Sequence, residues 1–141
     1  MSGGMDEKSI LFGVLLAAWS RVEAADRMTL GQWEFTMTTK GESHVSKYCV
    51  DADLAAVVNG DSRTGREAAE KNAAKMKSNC RVTDFTVKGD TVSHAMTCGD
   101  RTILSTATYH GDSYEGVMKT KAGSVETTTD VKARRLGACP K

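Results

Sequence analysis

Proline is almost missing from this chain: Pro140 is its single example in 141 residues. No proline therefore interrupts the β-prone runs, where it would remove a ladder donor. Aromatic residues are scarce too, at 6%, which predicts a thin, largely aliphatic core. No sign of charge dominates, because 19 Lys and Arg nearly balance 18 Asp and Glu. A near-neutral domain lacks the basic surplus that nucleic-acid binding needs. No apolar run reaches the roughly 20 residues of a membrane-spanning helix. Without G-x-S-x-G there is no nucleophile elbow to mark a hydrolase. Without C-x-x-C neither a zinc knuckle nor a thioredoxin-like redox pair is supported. Internal repeats and low-complexity linkers are also lacking.

What is present begins with an apolar run, Ile10 to Trp19, behind the short polar lead Asp6, Glu7 and Lys8. Ten residues suit the h-region of a signal peptide. Val22-Glu23-Ala24 then offers small residues at the −3 and −1 sites of a cleavage point. Residues 1–24 therefore read as a cleaved signal peptide; the alternative is a buried or interfacial helix that stays attached. Removing them leaves residues 25–141, which read as a single domain of 117 residues. That domain carries 17 basic and 15 acidic side chains, a net charge of +2. Four cysteines follow the export signal: Cys49, Cys80, Cys98 and Cys139. This combination points to an oxidising compartment, periplasmic or secreted, and to two disulfides.

The hydrophobic period changes twice along the mature chain. Trp33 to Thr38 alternates apolar and polar, the mark of a half-buried strand with Trp33, Phe35 and Met37 on one face. His44 to Val50 is a second strand candidate. Asp51 then caps a short helix, Ala52 to Val58, which Asn59-Gly60 ends. Thr64-x-x-Glu67 reads as a capping box opening a second helix to about Ser78. Glu67 and Lys71 are spaced i,i+4 on it, and its apolar stripe is Ala69, Ala73 and Met76, with Ala68 beside it. Strand signals follow at Val82–Val87, Thr91–Cys98, Arg101–His110, Tyr114–Lys121 and Val125–Arg135. Short Gly-containing turns separate them. The expected fold is mainly β: an antiparallel meander forming a curved sheet or partial barrel, with a helical insert between Cys49 and Cys80.

Four cysteines allow three connectivities. Cys80 and Cys98 flank one predicted hairpin. A three-residue Lys88-Gly89-Asp90 loop places them directly opposite each other; a two-residue Gly89-Asp90 loop opposes Cys80 to Gly99 instead. The first register pairs Cys80 with Cys98 and leaves Cys49 for Cys139.

Several short pieces resemble a known family. They are Gly31-Gln-Trp33-Glu34, Cys49 after the second strand, Gly111-Asp112-Ser113-Tyr114-Glu-Gly116, and the ending Leu136-Gly137-Ala-Cys139-Pro140. In order and cysteine spacing they resemble the exported bacterial family called domain of unknown function 3617. Two features depart from its pattern: Leu30 stands where Pro is expected, and the segment between Cys49 and Cys80 is more helical and basic. The resemblance implies a small periplasmic or secreted protein and no particular activity.

Candidate chemistry is sparse. His94-x-Met96 sets two soft ligands on one strand face, a pattern that suits periplasmic copper. The seven methionines also read as core filling, with Met28, Met37, Met96 and Met118 replacing absent aromatics. Asp112 and Tyr114 read either as part of a ligand face or as a turn closure and sheet cover. Trp33 reads as a core anchor or as a binding platform. The reading that joins these features is a non-enzymatic binding or envelope-associated module without cofactor. Its expected partner is a small apolar ligand on the concave sheet face, or an envelope protein. The alternatives are a copper-binding protein using His94 and Met96, and an unrecognised hydrolase.

Overall fold

The computed structural model describes residues 26–76 and 79–141. The expected signal peptide, residues 1–24, and the expected helix end at Ser78 lie outside these. Seven strands form one antiparallel sheet: β1 (Gly31–Thr39), β2 (Glu42–Val50), β3 (Cys80–Lys88), β4 (Thr91–Cys98), β5 (Arg101–Tyr109), β6 (Ser113–Ala122) and β7 (Val125–Gly137). The spatial order is β2-β1-β7-β6-β5-β4-β3. Strands β3 to β7 form the meander that the turn spacing predicts. Their tight turns place Gly89 at φ +58° and Gly123 at φ +63°, a region glycine enters without steric cost. Strand β7 then returns to pair with β1, and the outer strands β2 and β3 do not pair with each other, so the curved sheet stays open.

Two helices, α1 (Ala52–Asn59) and α2 (Ser62–Lys75), connect β2 to β3. Helix α1 starts where Asp51 caps it, accepting from Leu54 N at 3.0 Å. Helix α2 starts earlier than the sequence pattern suggests. Its capping box joins Asp61 to Thr64 rather than Thr64 to Glu67: Asp61 Oδ1 accepts from Thr64 N at 2.8 Å, and Thr64 Oγ1 accepts from Asp61 N at 3.0 Å. The carboxylate three residues before Thr64 takes the cap, which frees Glu67 to pair with Arg63 at 3.3 Å instead of Lys71. That pair is exposed and contributes only a few tenths of a kcal/mol.

The expected apolar stripe of α2 also needs correction. Ala73 is buried and Ala69 packs on the core, but Met76 is 76% exposed. Close approach runs through Gly65, where a Cβ would fall 2.5 Å from Phe85 Cε1. The same helix covers the outer edge of β3. Ser62 Oγ accepts from Val87 N at 2.9 Å, and Arg66 donates to Val82 O at 3.3 Å. An uncovered edge is a template for unwanted strand pairing.

The hairpin register holds a surprise. Lys88 pairs with Thr91, so the loop is the two-residue Gly89-Asp90 form, which would carry Cys80 past Cys98. A bulge at Thr83 shifts the ladder by one residue, and Cys80 lands opposite Cys98. The chain holds the disulfides Cys80–Cys98 and Cys49–Cys139, the latter with Cα atoms 5.5 Å apart.

Residues just before β1 lock one end of the sheet. Arg27 donates to Gly89 O at 2.8 Å and to Val58 O and Gly60 O at 2.9 Å. It thus joins the hairpin turn to the C-terminal carbonyls of α1, which have no partner within the helix. The Asn59 side chain bonds both backbone groups of Met28. Gly111, at φ +90°, exchanges backbone bonds with Arg27 and Thr29. Trp33, fully buried, donates from its indole nitrogen to Thr29 O at 2.9 Å. The short motifs carrying the family resemblance therefore meet in the scaffold.

Candidate functional site

Strand alternation and register together build the concave face. Inward residues follow one another across paired strands: Phe35, Ala133, Tyr114 and Tyr109 in one row, then Met37, Val131, Gly116, Ala107 and Val92 in the next. A third row runs from Met118 through Ser105 and His94 to Phe85.

Aromatic residues are few but concentrated: the buried residues are largely aliphatic, as the composition predicts, with Trp33, Phe35, Phe85 and Tyr109 among them. Phe35 stacks on Tyr48 at 4.2 Å, Tyr109 meets Tyr114 at 4.7 Å, and Tyr114 lies 6.0 Å from both Trp33 and Phe35. Such contacts add to the burial of large rings. Phe85 stacks on His94 at 5.9 Å. Period-two alternation explains the gathering, since every one of these residues falls on the inward register.

The helices cover one end of this face, where Ala55 and Val58 join the cluster of Met28, Trp33, Val50 and Tyr109. Toward the other end, Met37, Ile103 and Met118 remain half-buried. Between the two ends lies a cavity of about 190 Å³, lined among others by Met37, His94, Ser105, Tyr109, Tyr114 and Met118. Gly116 also lines it; a Cβ there would sit 2.5 Å from Thr106 O. The lining contains no Asp, Glu, Lys or Arg.

The structure separates the residues that the sequence grouped. Tyr114 lines the cavity, whereas Asp112 is exposed in the β5–β6 turn and uses its carbonyl to accept from Arg135 N at 2.8 Å. His94 and Met96 share the inward face, but the cavity brings His94 together with Met37 and Met118. Among the described residues no group of three His, Cys, Asp or Glu could hold a metal ion. His110 pairs with Glu115 at 3.0 Å outside this site. Ser105 lies directly across from His94, but no hydrogen bond joins them and no carboxylate bonds His94 among the described residues. A serine nucleophile there has no oriented base. Tyr109 was not singled out from sequence. Its place follows from the β5–β6 register, Tyr109 opposite Tyr114, which becomes legible once the turn is known.

Burial sets the charge state of the site. It pushes the Tyr109 phenol up to about 12 and raises Tyr114 further, with the neighbouring tyrosines adding to both. Burial also holds the His94 imidazole below its ordinary value. All three groups are neutral at pH 7. A phenol whose folded pKa is raised stabilises the fold below its unfolded value of 10.0 and loses that stabilisation as pH climbs toward 12. Urea denaturation should therefore show stability falling from pH 10 to pH 12 by about 2 kcal/mol on account of Tyr109, with Tyr114 acting in the same direction. A Tyr109→Phe variant should lose less over that span; an equal loss in both proteins would refute the assignment. Histidine acts at the other end. With its folded pKa lowered, His94 costs stability as pH drops below 6.5, because the unfolded chain takes the proton first.

A family model described as protein of unknown function (DUF3617) matches residues 28–139, and the chain belongs to that family. No curated protein and no solved structure matches the chain.

Proposed function

We propose that this family member is a non-enzymatic binding module that works in the periplasm or as a secreted protein and takes a small apolar ligand on its concave face. The observation that carries the reading is the half-covered sheet. Ala55 and Val58 of α1 pack into the aromatic end, while Met37 and Met118 stay half-buried around an uncharged cavity. Apolar walls with a few convergent polar groups are the usual composition of a small-molecule site. Methionine walls also adapt to ligands of different shape. Two disulfides favour an oxidising compartment, and residues 1–24 supply the export signal in this reading.

One preparation tests both halves of the proposal. Protein recovered from the periplasm should begin at Ala25 or Asp26. Titrated with N-phenyl-1-naphthylamine, it should show a saturable rise in probe fluorescence. Met118→Arg places a charge on the open part of the concave face and should weaken that uptake about tenfold or more, since burying an unpaired charge costs well over 1.4 kcal/mol. Residues 1–24 still attached to membrane-associated protein would overturn the export reading. Probe uptake indifferent to Met118→Arg would overturn the site.

A further inference from the structure

We infer that the concave cavity selects uncharged apolar molecules bearing an oxygen, which accepts hydrogen bonds from the Tyr109 and Tyr114 hydroxyls. The inference rests on the binding reading above and adds the chemical class of the ligand.

It starts from an unspent hydrogen-bonding capacity. Tyr109 is 9% exposed, yet neither its hydroxyl nor that of Tyr114 has a hydrogen-bond partner among the described residues. Buried phenols normally find one. At the same time, no fully enclosed side-chain oxygen or nitrogen among the described residues lacks a partner. The two hydroxyls therefore open onto accessible space, and the space these residues line is the 190 Å³ cavity. Tyr109 and Tyr114 face each other across β5 and β6, with ring centroids 4.7 Å apart. His94 and Ser105, cross-strand neighbours on the same wall, offer further neutral polar groups.

Charge decides the class of ligand. A carboxylate, phosphate or ammonium entering this cavity would shed its hydration and meet no counter-charge on the walls. Arg135, which pairs with Trp33 in the register, is not among the lining residues and donates from Nε to Leu30 O at 2.7 Å. Both phenols are protonated at neutral pH, and burial moves them further from ionisation, so they remain donors. The volume is below the roughly 300 Å³ of sites for drug-sized ligands. It suits the polar end of a molecule whose chain runs out over Met37 and Met118.

Calorimetric titration of the disulfide-bonded protein with octan-2-one, octanoate and octylammonium tests the inference. Octan-2-one should bind at least about tenfold more tightly than either ion, the equivalent of 1.4 kcal/mol. Tyr109→Phe and Tyr114→Phe should each weaken ketone binding by roughly five- to tenfold, as expected for one hydrogen bond. Both variants should keep or raise the melting temperature, because each removes a hydroxyl without a protein partner. Uptake of N-phenyl-1-naphthylamine, which carries no such oxygen, by the unaltered protein reports the apolar site separately. Octanoate binding as tightly as the ketone, or unaltered ketone affinity in both Phe variants, overturns the hydroxyl selection while naphthylamine uptake leaves the apolar site standing. Failure of ketone and naphthylamine together removes both.

Discussion

Trp33→Ala is expected to lower stability by about 3–5 kcal/mol, the usual cost of truncating a large buried aromatic. Trp33 has no exposed surface, lies 6.4 Å from Phe35 and 6.0 Å from Tyr114, and donates to Thr29 O. Truncation opens a cavity beneath the aromatic cluster and leaves a half-buried carbonyl without its donor. Against a typical total of about 5–15 kcal/mol, that is a large share. Trp33→Phe keeps most of the ring area and should cost distinctly less. Urea denaturation of the three proteins checks the order. An unchanged midpoint in Trp33→Ala, combined with lost probe uptake, would make Trp33 a binding platform instead of a core anchor.

The second large effect belongs to the long disulfide. Cys49 and Cys139 are 90 residues apart, whereas Cys80 and Cys98 are 18 apart. In the loop-entropy account the long closure stabilises by about 4–5 kcal/mol and the short one by about 3. Replacing Cys49 and Cys139 by Ser should therefore cost more than replacing Cys80 and Cys98. Location strengthens the expectation. Strand β2 is an outer strand whose ladder partner is β1, and the long disulfide ties its C-terminal end to the tail beyond β7. Hydrogen exchange in the double variant should quicken first along Glu42–Val50. The reverse order of stabilities, or faster exchange confined to β3 and β4, would show that unfolded-state loop closure is not what this bridge supplies.

Local chemistry made much of the architecture legible. The alternation Trp33-Phe35-Met37 put three side chains on the inward face, and glycine-bearing turns separated the strands of the meander. Strand β4 runs Thr91–Cys98 as the pattern predicts, and Asp51 starts α1 as its side chain requires. These features depend on neighbours in the chain, so residue type and spacing determine them. Competition between near-equal local options was harder to read. Thr64 carries the capping pattern in the sequence, but the Asp61 carboxylate three residues earlier takes the cap. The Lys88-Gly89-Asp90 segment allowed two hairpin loops, and only the Thr83 bulge reconciles the shorter one with Cys80 opposite Cys98.

Other features required the tertiary structure because they join residues far apart in the chain. The return of β7 to β1 sets Ala133 beside Phe35, and the β5–β6 register sets Tyr109 beside Tyr114. Together they turn a handful of aromatics into one cluster. Arg27, unremarkable in sequence, gains its role because Gly89, Val58 and Gly60 converge on it. Asp112 and Tyr114 are two residues apart, yet one ends in a solvent-facing turn and the other in the cavity. Periodicity decides which face a side chain takes; the strand order and the curvature of the whole sheet decide what it meets there, and that meeting makes the candidate site.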